Sequence, residues 1–333
     1  MVTRATSRRG RGVGLVLGWA LVGALALGAC GADDEAATAS DPTVGSTAPV
    51  PDATPVGAEL PQPVQALDIE GGEYVFTIDP SQTEDLRAGW TLVRFDNVGV
   101  EAHQVMFARL KDGVDITELA AAGEGDSSGA GAIEFVDMIG GVSYIDAGHR
   151  TTALVDLPEG VVLAMCYVPD ADGVAHALMG MSTVLAVGPA DGATSGSTAG
   201  PGVGSDRVVG TIEMTADGYQ LPEDLIPGWY HVVNADTADP GRGLHELALL
   251  RLDEAVDGDE LEGMVGELAD NVVPEVGLDA VGGMGAISAG FDGYLHLDLE
   301  PGEYLAVDFM PDPGDPRPHM VDGYYGRFTV GEP

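Results

Sequence analysis

The chain has 333 residues, 45% of them hydrophobic, with 14 Lys and Arg against 54 Asp and Glu and a formal net charge of −40. This balance excludes nucleic acid as a partner, because binding a phosphate backbone requires Lys and Arg to neutralise it, and Lys111 is the only lysine. The two cysteines, Cys30 and Cys166, stand in segments of opposite character and are read separately.

In chain order, Arg4, Arg8, Arg9 and Arg11 precede an uncharged apolar run from Val13 to Leu27. The run is about 15 residues, short of the roughly 20 needed to cross a bilayer, and it ends in small residues. Residues 1–29 therefore read as a secretory signal, not a spanning helix. Leu27-Gly28-Ala29-Cys30 resembles a bacterial lipobox. The resemblance implies cleavage before Cys30, diacylglycerol on its sulfur, and an extracytoplasmic protein anchored to the membrane. Ser7-Arg8-Arg9 also resembles a twin-arginine signal, so both export routes stay open. Residues 30–65 are rich in Ala, Thr, Pro, Ser and Asp and are expected to form a disordered tether. With Cys30 lipidated, Cys166 has no disulfide partner in an oxidising compartment, and must be buried, reactive or metal-bound.

The remainder repeats itself. His103-Gln-Val-Met-Phe-Ala-Arg-Leu110 parallels His245-Glu-Leu-Ala-Leu-Leu-Arg-Leu252, and Ile139-Gly-Gly parallels Val281-Gly-Gly, both in a register of 142 residues. Val162-Leu-Ala-Met-Cys166 matches Tyr304-Leu-Ala-Val-Asp308 in that register; one inserted residue then pairs His176 with His319 and Met181 with Tyr324. The organisation expected is a first domain over 66–188, a Gly/Ser/Thr linker over 189–206 and a second domain over 207–333. Short runs such as Tyr74–Ile78, Thr91–Phe95 and Val184–Val187, bounded by Gly, Pro, Asn and Asp, read as strands of a sandwich. Asp115 with Glu118, and Asp259 with Glu262, read as acidic caps of one short helix per copy. The fold class expected is all-β: two tandem sandwiches, each with a short helical insertion.

Cys166 ends an apolar strand, His176 follows after a loop through Pro169 and Gly173, and Met181 lies five residues further on. Thiolate, imidazole and thioether together suit copper, and a second imidazole completes the type 1 set. His103, after an Asn97/Gly99 turn, is the candidate. Here residues 68–188 resemble the cupredoxins, with their Greek-key sandwiches, a His after an Asn/Gly turn and a late Cys, His, Met loop. The Cys-to-His interval is longer than in plastocyanin and nearer the copper domain of bacterial nitrite reductases. The resemblance implies one copper held by His103, Cys166, His176 and Met181, with Met179 the less fitting axial choice. A buried structural Cys and core Met residues are the competing reading.

The second copy has Asp308 for the thiol and Tyr324 for the thioether, so it lacks a type 1 set. His245, Asp308 and His319 are relics of an electron-transfer site, structural residues, or ligands of a harder divalent ion. His149, His231 and His296 stand alone and read as surface residues. Asp170, Asp172, Asp312 and Asp315 lack the spacing of a dedicated calcium loop. Gly125-Asp-Ser127-Ser-Gly129 has the spelling of a nucleophile elbow without its strand-turn-helix setting. There is no closely spaced His pair of the multicopper-oxidase kind. The function expected is therefore a non-enzymatic, membrane-anchored copper lipoprotein that transfers electrons to a redox protein partner or handles copper. A metal-free cell-surface binding module is the alternative, since fold alone does not decide function.

Overall fold

The computed structural model describes residues 49–122, 130–190, 206–222, 225–237, 243–272, 274, 276–312, 315 and 317–331. Cys30, the signal segment and the Gly125–Gly129 stretch lie outside the described residues.

Repeat one contributes eight strands: β1 Gln65–Gly72, β2 Val75–Ile78, β3 Gly89–Asn97, β4 His103–Leu110, β5 Val136–Ile145, β6 Arg150–Leu157, β7 Gly160–Met165 and β8 Ser182–Val187. Repeat two contributes β9 Val208–Thr215, β10 Gly218–Gln220, β11 Gly228–Asn234, β12 Leu244–Leu252, β13 Leu278–Ser288, β14 Asp292–Leu297, β15 Gly302–Val307 and β16 Tyr325–Val330. The expected all-β class, with a helical excursion after each His strand, is what the chain forms. Strand β9 shows the period of two most plainly: Val208, Gly210, Ile212 and Met214 are buried and the residues between them are half-exposed.

Both sheets run through both repeats. One has the order β10-β9-β11-β14-β6-β3-β1-β2, the other β16-β15-β12-β13-β5-β4-β7-β8. Residues 45–333 form one compact unit, so the sandwiches meet edge to edge rather than hanging from a linker. The join is symmetric. Ile139 pairs with Ile287 and Val281 with Ile145, with Val142 opposite its own counterpart Met284 at the centre. In the other sheet, Leu154 pairs with Tyr294 and Thr152 with His296, about a centre where Ala153 faces its counterpart Leu295. Val142, Met284, Ile139, Ile145 and Ile287 are all at most 1% exposed. At roughly 1.5–3 kcal/mol per buried aliphatic side chain, this seam contributes on the order of 10 kcal/mol before entropy is set against it.

The main core lies between the sheets, with Phe95, Phe107, Ile145, Tyr230, Leu247 and Tyr304 among its members. Strands β4 and β12 are buried on both faces. Their alternate residues Met106 and Ala108 pack beneath Ile133, and Ala248 and Leu250 beneath Met264 and Val265. The covering pieces are α2 Ile116–Ala122 with the 3-10 turn Ala130–Phe135, and α3 Gly258–Ala269; a four-residue helix, α1 Pro80–Thr83, joins β2 to β3. Asp115 does cap its helix, accepting from Thr117 N at 2.8 Å. The second cap is corrected to Asp257, two residues before Asp259, in a reciprocal box with Glu260. An acidic run offers several caps in sequence; the one used is set by where the preceding chain leaves β12.

The tether expected through residue 65 is also corrected, because its last part is bound across repeat two. Gly57 N donates to Val208 O at 2.8 Å and Val208 N to Ala58 O at 3.1 Å. Thr54 N donates to His231 Nδ1 at 3.0 Å, and Leu60 is 3% exposed against Trp229 and Tyr294. His231, expected at the surface, is consequently buried beneath this strap, its Nε2 2.7 Å from Asp292 Oδ2.

Candidate metal centre

Asn97 sets the position of His103. Its Nδ2 donates to Glu101 O at 2.7 Å and Ile145 O at 2.8 Å, and its Oδ1 accepts from Gly99 N at 2.9 Å. The turn is thereby pinned to β5, and β4 starts with His103 at a fixed height. The loop after Cys166 is closed by its own backbone: His176 N donates to Val168 O at 2.9 Å and Ala177 N to Cys166 O at 2.7 Å. Cys166 N donates to Met181 O at 3.1 Å, and Gly180 turns the chain at a φ of 114° that favours glycine. Asp170 Oδ1 accepts from Asp172 N and Val174 N at 2.9 and 2.8 Å. That carboxylate shapes the loop.

These constraints bring three of the sequence-derived candidates to one point. Nδ1 of His103 lies 3.2 Å from Nδ1 of His176, and Cys166 Sγ lies 3.6 Å from His176 Nδ1. All three residues are wholly buried, and one donor atom from each falls within 4.8 Å of the others. Met181, also wholly buried, packs against Cys166 and Val168. Tyr74 meets His176 edge-on at 4.9 Å. His176 Nε2 is 3.2 Å from Glu101 Oε2 without hydrogen-bond alignment, and His103 Nε2 has no hydrogen-bond partner among the described residues.

Burial pulls both imidazoles below their ordinary value, for His103 with the charge of His176 acting the same way. Neutral rings have lone pairs to offer. Burial pushes the Cys166 thiol up to about 12, against the backbone hydrogen bonds from Gln104 and Val168 that favour the thiolate. A bare thiolate is therefore costly here, and a cation beside it would remove that cost.

In repeat two the same places hold a connected polar cluster. Asp308 Oδ2 lies 2.7 Å from His245 Nδ1 and 3.0 Å from His319 Nδ1. Its Oδ1 accepts from Glu246 N at 3.2 Å and Met310 N at 2.9 Å, the counterparts of the two amides serving Cys166. Burial alone would raise the Asp308 carboxyl, but the two histidines hold it below the ordinary value. Burial would likewise lower His319, and Asp308 with Asp312 holds it above. Tyr324 stacks on His245 with centroids 4.1 Å apart.

The two clusters are joined. With the Gln104 amide oriented to donate to Glu246 Oε1 at 3.1 Å, its oxygen accepts from Tyr167 N at 2.9 Å. Backbone and side chain of Gln104 and Glu246 thus link the Cys166 strand end to Asp308. Sequence reading missed this bridge, as it missed Glu101, Asp236 and the anchoring role of Asn97. The signal available for the last was its recurrence as Asn234, whose Nδ2 donates to Gly243 O and Ile287 O at 2.8 and 2.6 Å.

The strand order and this ligand loop define a cupredoxin-like fold with a blue-copper-like set of side chains. No protein-family model and no curated protein matches the chain. Among solved structures it is similar to auracyanin from Roseiflexus castenholzii, at 20% identity and a TM-score of 0.27, over 38% of this chain and 98% of that one. It is similar to a multicopper oxidase at 15% identity and a TM-score of 0.23, over 83% and 94% of the two chains. A copper-containing nitrite reductase from Thermus scotoductus follows at 10% and 0.21, over 80% of this chain and 61% of that one. Two of these three are enzymes, which corrects the expectation of a non-enzymatic protein. Among the described residues no helix is long and apolar enough to cross a membrane.

Proposed function

We propose that this is an exported copper protein, held to the membrane through lipidated Cys30, whose repeat one binds a single type 1 copper for electron transfer to a protein partner or for copper handling. The observation carrying it is the convergence of His103 Nδ1, His176 Nδ1 and Cys166 Sγ in a buried pocket. Two nitrogens and a thiol, with a thioether packed beside them, fit copper better than a hard cation. His103 and His176 would supply the imidazoles, Cys166 the thiolate and Met181 a thioether beside them. When bound, copper supplies one-electron chemistry. The chain contributes the rest: β4, β7 and the closed loop fix the donors, and Tyr74, Phe76, Tyr144 and Val168 pack around the sulfurs and exclude water. A site on rigid strands rearranges little when its charge changes, as fast electron exchange requires.

Copper(II) titration of the full chain tests it. The expected result is an intense visible thiolate band that saturates at one copper equivalent and that Cys166→Ser abolishes. A colourless titration, with Cys166 unreactive to thiol reagents until unfolding, would leave a metal-free module. The anchor has its own test: Cys30→Ala should release the protein from membranes, and retention in the membrane fraction would sink that part.

A further inference from the structure

The cluster in repeat two is more than a repaired vacancy. Each of its histidines is flanked on both sides by carboxylate. His245 Nδ1 faces Asp308 at 2.7 Å while its Nε2 faces Asp236 Oδ2 at 3.2 Å. His319 Nδ1 faces the same Asp308 oxygen at 3.0 Å while its Nε2 lies 3.4 Å from Asp312 Oδ1. A neutral imidazole carries one N–H. With those hydrogens turned outward to Asp236 and Asp312, both inner nitrogens aim lone pairs at a carboxylate oxygen, and three electron-rich atoms share one point. Such a point calls for positive charge. Outward carboxylates on histidine are also how metal-binding imidazoles are held in the ligating tautomer and made more basic.

Asp308 is oriented for the same purpose. Its Oδ1 is engaged by the amides of Glu246 and Met310, which leaves Oδ2 to the histidines, and the residue is wholly buried. Around the point stand three carboxylates and two imidazoles, so a divalent ion lowers rather than raises the local charge imbalance. With two nitrogens, one oxygen and no sulfur, the donors match zinc, and the Tyr324 ring occupies the place where repeat one offers a thioether.

We propose that His245, Asp308 and His319 form a second metal site, for a divalent cation of the zinc class, with Asp236 and Asp312 positioning the imidazoles. It is a redox-silent counterpart to the site in repeat one, and it stands whether or not copper binds there.

The test uses Zn2+ and Co2+ on the full chain and on Cys166→Ala, which removes the thiolate from repeat one. The expected result is one Zn2+ equivalent retained by Cys166→Ala, with Co2+ giving weak visible bands and no thiolate charge-transfer band. His319→Gln should abolish this equivalent. Asp312→Asn, at a partly exposed side chain, should weaken it by about 10–100-fold as loss of a supporting carboxylate does elsewhere, with an unchanged circular dichroism spectrum. Should His319→Gln fail to fold, Asp236→Asn and Asp312→Asn carry the test. No Zn2+ bound by Cys166→Ala, or binding indifferent to both Asp312→Asn and Asp236→Asn, would overturn the proposal and leave a proton-bridged cluster.

Discussion

Because the repeats differ at two donor positions, a second copper site should be obtainable by exchange. The double variant Asp308→Cys/Tyr324→Met places a thiol and a thioether where repeat one has Cys166 and Met181. The two amides that now serve Asp308, from Glu246 and Met310, match those acting on Cys166, from Gln104 and Val168, so the new sulfur inherits its backbone donors. What is lost is the pair of contacts from Asp308 to His245 and His319. At about 1.5–3 kcal/mol for a hydrogen bond to a charged group, the metal-free variant should be less stable by about 3–6 kcal/mol. For a chain this size that is a melting temperature lower by roughly 5–10 °C. Copper at a hundred times its dissociation constant should return about 2.7 kcal/mol. The assay is a visible-band titration together with thermal unfolding, metal-free and loaded. The expected outcome is two copper equivalents with a doubled band and a partial recovery of melting temperature. A folded double variant with one equivalent and an undiminished metal-free melting temperature would refute the equivalence of the two donor frames.

Met181→Leu should keep copper bound but shift the reduction potential, because a thioether among the donors would tune the balance of the two copper states more than affinity; an unchanged potential removes Met181 from the site. Gly283→Ala should destabilise the chain by about 3 kcal/mol or more, through left-handed backbone and overpacking, since an added Cβ would lie 1.8 Å from Leu247 O at a φ of 132°. Gly148→Ala, with φ 82° and nothing within 4 Å, should cost about 1 kcal/mol; equal denaturation midpoints for the two would contradict the packing described. Leu60→Ala should cost about 2–4 kcal/mol in urea unfolding, whereas a residue in a free tether would cost nothing measurable.

The site was legible in the sequence for a physical reason. His103, Cys166, His176 and Met181 lie at the ends of strands and in one loop, so their mutual positions follow from local chain direction once a sandwich is assumed. The covering helices were legible from their caps to within two residues. The joining of the repeats was not. Strand β5 is buried along nearly its whole length, which tells of burial on both faces and says nothing of which strand lies alongside. The strap over repeat two escaped because most of its bonds come from its own backbone, with Leu60, the Thr54 hydroxyl against Tyr294 and Glu59 against Arg207 adding to them, and backbone bonding leaves no trace in composition. His231 was misplaced by the same omission, since what buries it comes from 177 positions earlier in the chain.

The seam between the repeats has a further consequence. A pairing in which each residue meets its counterpart's partner about a central self-pair is what a two-fold axis produces, and here it holds in both sheets at once. Such a surface is self-complementary. Repeat one on its own, residues 66–188, would carry β5 and β6 as two open edges, each fit to receive another copy of itself around Val142 and Ala153. It should therefore associate as concentration rises, since unpaired strand edges recruit strands. In the intact chain the two repeats belong to one polypeptide, so that encounter is intramolecular and no longer depends on protein concentration. The protein is in this sense a dimer written as one polypeptide, and fusion lets its two halves carry different donors at equivalent points where two identical chains could not.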